Sequence, residues 1–598
     1  MAPFVQYKQW MIERYGDALF RVPVEIASTC PHGRCAFCSE NGSRAQQTQR
    51  QDSPIEQIEA AIKFSKRRYK AQKLMLYIQA FTADLTDPAQ QQLIFECLDE
   101  YKFEAISIGT RPDCLPEAAL DFLETLKTPA EDSGPTTNCR PGAPTRREVW
   151  VELGVQTAND ETLKRINRGH DWACSKKAIL DLAGRGLHVA PHVIIGLPNE
   201  SSKDWNHTAE ELAALPIAGI KIHNLHVVKG TRLAENPPPV LNHWEYAEAL
   251  MEFLRRIPAN IPVMRISTDT PDDELIAPHW HLEKGQFLDY VVQQMTMREI
   301  TQGDLFQGRD GCPQPSTDAS ERRPYPVVPT DDGSITFFSE DWKEHYHTKS
   351  GARLEAQKKF VEPSGLSRKL QTSNLKLLDV CFGLGNNTLA AFCGADALVC
   401  QNSAGGGACA TKKNLNVTAL EMDKRVVRAA SEFFQCLETD PVNWRNVLKQ
   451  LLSTATCHLP PATLKLLWGD ARWLIQSLED EQFDIVFHDP FSSQHCPELW
   501  TVEFFQQLYR VMKPDGVLLT YSSSLPVRGA MREAGFLIGE THPGHQMGDG
   551  TLAAKRPEDL VFPIIGTFDE RRSIPYRDPY LCATAKSILR QRQEAIEE

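Results

Sequence analysis

Twice along this chain, short apolar segments alternate with longer amphipathic ones, and that alternation restricts the fold more than any other feature. In the first series the candidate strands are Leu74–Gln79, Ala105–Ile108, Val149–Gly154, Val189–Gly196 and Gly219–His223. Amphipathic stretches such as Pro88–Tyr101 and Ser202–Leu215 lie between them. Strand–helix alternation builds parallel βα units. More than about four units in one stretch favour a full or partial barrel, with an open sheet as the alternative. The second series starts at Leu375: LKLLDVCFG runs into a glycine turn, followed by LNVTALEMD, TLKLLWGDA, FDIVFHDPF and GVLLTYSS. That is the pattern of an open, doubly wound sheet. The fold class expected is therefore α/β, a partial TIM-like barrel followed by a Rossmann-like domain.

The seam between the series is GCPQPSTDASERRPYPVVPTDDG, rich in Pro, Ser and Asp and without apolar periodicity. It reads as a linker over 311–332, between a first domain over 1–310 and a second over 333–575, with a helical tail over 576–598. Polar, Gly/Pro-rich insertions are expected at 127–147 and 394–413, and their Cys139, Cys400 and Cys409 are weak ligand candidates. The chain has 598 residues, 41% hydrophobic and 24% charged, which suits soluble globular domains. No run of roughly 18 apolar residues occurs, so no membrane partner is expected. The N-terminus lacks a signal-peptide core, which makes the cytoplasm the default address. A net charge of −13 argues against a general nucleic-acid coat protein. A local basic patch exists at Lys63–Lys70, with Lys73 beyond it; a solvated helix face is its simpler reading.

Sixteen cysteines are too dilute for a disulfide scaffold. One cluster is tight: Cys30-Pro-His-Gly-Arg-Cys35-Ala-Phe-Cys38, just after the apolar stretch Val22–Ala27. Three thiolates from one loop can hold three irons of a [4Fe–4S] cluster and leave the fourth open. A zinc site completed by His32 is the alternative on spacing alone, although no second paired knuckle is present.

The blocks YIQAFT (77–82), ISIGTRPDCLP (106–116), VWVELGVQTANDETLKRINRGHD (149–171), HVIIGLPNE (192–200), GIKIHNLHVVKGT (219–231) and IAPHW…R…QG (276–303) resemble the YhcC/YtqA-type radical SAM proteins. The resemblance implies a [4Fe–4S] cluster on Cys30, Cys35 and Cys38, with S-adenosylmethionine (SAM) on the open iron. An electron from the cluster would then cleave SAM to a 5′-deoxyadenosyl radical. It also implies an electron donor such as flavodoxin or ferredoxin. Phe37 is expected to set its backbone near the adenine, and the Gly196–Glu200 turn to pack under it. Glu152 is expected to face SAM or substrate, or else to be a structural acid paired with Arg111 or Arg168. His192, His223 and His226 are either site residues or satisfied core histidines. One departure from the family is the short four-residue spacing between Cys30 and Cys35.

In the second series, Gly383 and Gly385 let the backbone approach a ligand closely. Glu421, at the next strand end, suits ribose hydroxyls. Asp470, one strand further, can accept from an exocyclic adenine amine. A NAD-binding domain is the alternative, weakened by Thr388 in place of the third fingerprint glycine. The blocks at 344–363, 483–505 and 512–536 resemble the MnmC-type tRNA wobble-uridine methyltransferase domain. That resemblance implies a second SAM site, tRNA as partner and methylation of the aminomethyl group at C5 of uridine 34. Asp489 is expected near the acceptor amine, with His488, a departure from the family, assisting as a titratable neighbour. Trp500 and Tyr521 are either base-stacking or core aromatics, with the core the better place for Trp500. The alternatives are a small-molecule or protein amine as acceptor, or one domain serving only as a tRNA-binding scaffold. The radical substrate has no signature in the sequence.

Overall fold

The computed structural model describes residues 2–26, 30, 33–39, 53–78, 82, 84–127, 147–306, 325–402, 414–436, 440, 442–459, 462–542 and 550–597. His32, Cys139, Cys409 and most of the 127–147 segment lie outside them, and Cys400 is described in its backbone alone. The chain forms two compact units, one of residues 1–296 and 300–317, the other of 297–299 and 318–598.

The first unit is built on a seven-stranded parallel sheet: β1 (Leu19–Val24), β2 (Lys73–Ile78), β3 (Ala105–Thr110), β4 (Glu148–Gln156), β5 (His188–Ile195), β6 (Ile220–Asn224) and a short edge strand, Val263–Arg265. The strands pair strictly in chain order. That order is the mark of successive right-handed βα units curling into a half-barrel. Alternation along each strand divides the side chains. Val22, Leu76, Ile106, Val151, Val189 and Ile222 face outward into the core shared with the helices. Arg21, Tyr77, Ser107, Glu152, His192 and Lys221 face inward and hydrogen-bond to one another or pair as ions. The helix α1 (Tyr7–Tyr15) plugs one end, with Met11, Tyr15, Met75 and Trp150 in one cluster. Arg14 and Tyr15 both bind Glu148, at the start of β4.

The second unit holds an eight-stranded sheet. Its order is Thr456–Leu459, Ala462–Trp468, Leu415–Glu421, Leu375–Val380, Phe483–His488, Met512–Thr520, Thr551–Ala554 and Leu537–Glu540. The five strands foreseen from the sequence run parallel in doubly wound order, reversing direction of build between Leu375–Val380 and Phe483–His488. Ligands of such sheets bind outside the strand ends at that reversal. The edge strands Thr456–Leu459 and Leu537–Glu540, and Thr551–Ala554 beside the latter, were not foreseen.

Two segments differ from expectation. Val327–Pro329, inside the expected linker, pairs antiparallel with Ile335–Ser339. The helix Asn386–Asn402 runs on through the start of the expected 394–413 insertion. In the tail, the helix Ala585–Glu597 is present. The residues before it dock on the second unit, where Tyr576, Asp578, Leu581 and Cys582 are buried.

Candidate functional sites

The cysteine loop follows β1. Cys35 is buried, while Cys30 and Cys38 are half-buried. Two backbone hydrogen bonds fold the loop, Gly33 N–H to Cys30 O at 3.2 Å and Cys38 N–H to Cys35 O at 3.1 Å. Two more staple it to neighbours, Ala36 N–H to Ile166 O at 2.9 Å and Leu233 N–H to Ala36 O at 3.0 Å. Burial pushes the Cys38 thiol up to about 11, with the charges of Cys35 and Cys30 adding to the shift. Three sulfurs that feel one another's charge are costly without a cation to bind them. Arg168 Nη1–H donates to Cys35 Sγ at 3.3 Å, and Arg111 Nη1–H approaches the same sulfur at 3.9 Å. Among the described residues, no three Cys, His, Asp or Glu side chains converge at metal-ligating distance. Three soft thiols on one loop with guanidinium charge beside them are the kind of donor set an iron–sulfur cluster would use.

Arg111 and Arg168 were the partners of Glu152 in its alternative, structural reading, and the structure gives them other work. Arg111 also binds Asp113 at 2.9 Å, and Arg168 donates to the Gly154 carbonyl at 2.5 Å. Arg168 Nη2 occupies the space a Cβ at position 154 would need, so glycine there clears its path to Cys35. Glu152 is instead the hub of the inner face. It pairs with Arg21 at 2.7 Å and Lys221 at 2.8 Å, and bonds Tyr77 Oη at 2.8 Å, His192 Nε2 at 2.9 Å and Ser107 Oγ at 3.3 Å. Burial opposes its ionisation, but Arg21 and Lys221 outweigh that and hold the carboxyl well below its ordinary range. Burial, helped by the Lys221 charge, lowers His192 to about 4, and burial lowers His226 to about 4; both are neutral at pH 7. Burial also holds His223 well below its ordinary value.

Phe37 and the Gly196–Glu200 turn come together. Phe37 packs against the cluster of Ala36, Leu163, Ile166, Leu197 and Leu225. Gly196 has φ +91°, and a Cβ there would meet Leu241 at 3.3 Å. Glu200 accepts from Thr157 at 2.6 Å, and burial pushes its carboxyl up to about 7.

In the second unit, Gly383 and Gly385 take φ +54° and +78°. A Cβ on Gly385 would lie 2.6 Å from the Phe382 and Trp444 rings. Trp444 Nε1–H latches the turn by donating to Leu384 O at 3.0 Å. Glu421 accepts from the N–H groups of Gly383 at 2.7 Å, Met422 at 2.8 Å and Asp423 at 2.7 Å. A carboxylate has about four lone-pair sites, so roughly one remains for a hydroxyl. Burial pushes Glu421 up to about 7 against those three donors.

Asp470 is largely committed inside the protein, with three of about four lone-pair sites taken by Arg472. It caps the short helix Ala471–Leu474 and takes the Arg472 guanidinium on both oxygens, at 3.2 and 2.9 Å. Arg472 is held in turn by Asp578 at 3.3 Å and Ala583 O at 2.9 Å. His488 is also corrected. Its side chain turns away from the strand end, among the rings of Trp500, Phe504 and Phe505 at centroid distances of 4.8, 5.7 and 5.3 Å. Burial lowers it to about 3, so it is a neutral core residue and no partner in proton transfer. Trp500 is core as expected, with Nε1–H bonded to Phe491 O at 2.8 Å. Tyr521 donates to Pro490 O at 3.0 Å, which ties down the Asp489 loop.

Asp489 stands at the end of Phe483–His488, half-buried, and accepts from Asn387 Nδ2 at 2.8 Å. The glycine turn and the acid thus meet at the reversal point of the sheet. Burial, with the neighbouring Glu355 charge adding, pushes Asp489 up to about 8. Beside it Tyr346 lies edge-on to Phe491 at 4.8 Å, and Trp342 stacks on Phe491 at 5.7 Å. Tyr346 also covers Gly383, where a Cβ would meet its ring at 3.2 Å. Asn387, Trp342 and Tyr346 were not singled out from the sequence, although Tyr346 falls in the 344–363 block.

Comparisons with known proteins bear on each unit separately. Residues 144–212 match the radical SAM superfamily and residues 217–297 the Radical_SAM C-terminal domain. Residues 436–556 match an S-adenosyl-L-methionine-dependent methyltransferase family. YtqA of Bacillus subtilis is 32% identical over 309 residues, 49% of this chain and 90% of YtqA. The tRNA 5-methylaminomethyl-2-thiouridine biosynthesis bifunctional protein MnmC of Pseudomonas savastanoi is 38% identical over 104 residues, 17% of this chain and 16% of that protein. The crystal structure of MNMC2 from Aquifex aeolicus aligns at 25% identity with 53% of this chain and 93% of that one, with a TM-score of 0.37, too low to bear on the substrate.

Proposed function

Because the N-terminal half of this chain belongs to the radical SAM family of YtqA, and a SAM-dependent methyltransferase domain follows it, the chain is a bifunctional SAM enzyme, and we propose that its second unit methylates a 5-aminomethyl group on the wobble uridine of tRNA. In the first unit, Cys30, Cys35 and Cys38 would hold the [4Fe–4S] cluster, which when bound supplies the electron for SAM cleavage. Arg168 and Arg111 balance thiolate charge, and the Phe37 loop with the Gly196 turn forms one apolar wall. An external one-electron donor is required. In the second unit, Gly383, Gly385 and Glu421 would hold a second SAM, which when bound supplies an electrophilic methyl group.

The observation that carries the acceptor reading is the half-buried Asp489 carboxyl, raised to about 8 beside the glycine turn. A primary ammonium must lose a proton before its nitrogen can attack. In its ionised fraction, which grows as pH rises toward about 8, a carboxylate whose proton affinity burial has raised accepts that proton more readily than an ordinary one. Asn387 fixes the oxygen that takes the proton, and Phe491, Tyr346 and Trp342 offer ring faces to a flat base. The similarity to MnmC supports tRNA as the carrier. The test is transfer of labelled methyl from SAM to tRNA bearing the unmethylated aminomethyl precursor. Label in that tRNA and none in polyamines or protein is expected; label in a small amine or protein instead removes the tRNA assignment.

A further inference from the structure

Among the described residues, the layer of the inner face around Lys221 carries more positive charge than Glu152 can balance. Arg21, Lys221 and Arg265 all project from it: Lys221 pairs in register with Arg265 across the sheet, and His192 with Lys221. Glu152 is the carboxylate among them, and it already receives Arg21, Lys221, His192, Tyr77 and Ser107. The Arg265 guanidinium has neither a hydrogen bond nor an ion pair among the described residues, and the residue is half-buried. Its charge bears on Lys221 and His223. Asp269, four residues beyond Arg265, is exposed and lies 4.0 Å from Lys284. His223 is half-buried, with Nδ1 3.4 Å from Thr268 Oγ1. The layer on the plugged side is balanced within itself, Glu148 by Arg14, Tyr15 and His188.

We propose that Arg265 and Lys221, with His223 beside them, form a seat for an anionic group, a phosphate or a carboxylate, on the substrate of the first unit. An excess of buried cations costs free energy that an anion would offset. The symptom is visible at Lys221: burial lowers its ammonium to about 8, and Arg21 and Arg265 push the same way against Glu152. Guanidinium and ammonium donors together suit the oxygens of phosphate or carboxylate. The neutral imidazoles of His192 and His223 can donate without adding charge. His192 in β5, Lys221 near the start of β6 and Arg265 at the end of the edge strand all lie on the inside of the sheet. The proposal rests on the radical SAM reading only in calling the anion's carrier a substrate.

The test uses the full-length protein and inorganic phosphate as probe, followed by the phosphorus NMR line width. Saturable broadening is expected, and Arg265→Gln should need at least about tenfold more phosphate, the loss of one charge-assisted hydrogen bond. Arg265→Lys should recover part of the affinity. Phosphate should also raise the melting temperature of the wild type and not of Arg265→Gln, a comparison that holds even where the variant is less stable. Acetate displacing phosphate at similar concentration assigns the carboxylate class; failure to displace it assigns the phosphate class. Equal phosphate titrations of wild type and Arg265→Gln overturn the proposal. So does displacement of phosphate by SAM, which would make these cations the seat of SAM's own carboxylate. Iron content and SAM cleavage of the same preparation report separately on the radical SAM reading: a preparation that passes both and shows no phosphate titration loses the anion seat alone.

Discussion

The guanidinium of Arg168 reaches the sulfur of Cys35 at 3.3 Å, through a gap kept open by the missing side chain of Gly154. A fixed positive charge on a ligand sulfur stabilises the reduced, more negative state of an iron–sulfur cluster. Arg168→Gln should therefore still bind iron after anaerobic reconstitution but have a lower reduction potential. A fall on the order of 59 mV corresponds to tenfold in a one-electron equilibrium. An EPR-monitored redox titration reads it. Gly154→Ala should act in the same direction by displacing the guanidinium. Unchanged potentials in both variants would separate Arg168 from the cluster.

The two βα series were legible because alternation is a local property, written in the spacing of apolar residues. So were the gathering of Cys30, Cys35 and Cys38 on one loop and the positive-φ glycine turn at Gly383 and Gly385. The roles of charged residues were less legible, because an ion pair is chosen by the folded geometry. Glu152 and Arg168 lie close in sequence, yet the strand turns Glu152 inward to Arg21 and Lys221 while Arg168 crosses to Cys35. Asp470 looked like a free strand-end acid until the chain returned a hundred residues later with Asp578 and fixed Arg472 upon it. His488 precedes Asp489 in sequence, but neighbours along a strand point to opposite faces.

The Asp470–Arg472–Asp578 group predicts a stability defect where the sequence suggested a binding defect. Asp578 is 1% exposed and Arg472 is 8% exposed. Removing one partner of a buried ion pair typically costs about 3–5 kcal/mol. Asp578→Ala should lower stability by about that much in a denaturant titration, and Asp470→Asn by less, because the amide can still cap the helix. SAM affinity measured below the unfolding transition should stay within about threefold of wild type, under 1 kcal/mol by the usual conversion. A selective loss of SAM binding in Asp470→Asn, with no loss of stability, would restore the adenine role.

His488 predicts an acid-side stability slope. Its folded value of about 3 lies below the ordinary 6.5, so the unfolded chain binds the extra proton first. Stability from this residue is present above pH 6.5 and is lost as pH falls toward about 3. His488→Phe keeps the aromatic packing and removes that loss. Its melting temperature should fall less steeply than that of the wild type between those pH values. Methyl transfer should remain within about twofold, far from the roughly 100-fold loss expected on removing a general base.

Asp489 predicts the opposite slope, together with the loss of activity. Its folded value of about 8 lies above the ordinary 3.8, so the native state holds a proton that the unfolded chain has released. Stability from this group is full below pH 3.8 and falls as pH rises toward about 8. Asp489→Asn cannot ionise and should keep the hydrogen bond from Asn387 through its side-chain oxygen. The variant should therefore be more stable than the wild type at pH 8, and the difference should shrink as the pH is lowered. Its methyl transfer should drop by at least about 100-fold, while SAM affinity changes little, because the carboxylate acts on the amine and not on the cofactor. The two effects separate a catalytic acid from a structural one: a residue that only capped the loop would lose stability on conversion to Asn and leave the rate per folded molecule unchanged. Thermal melts from pH 4 to 8 and single-turnover methyl transfer on the same preparations decide between them.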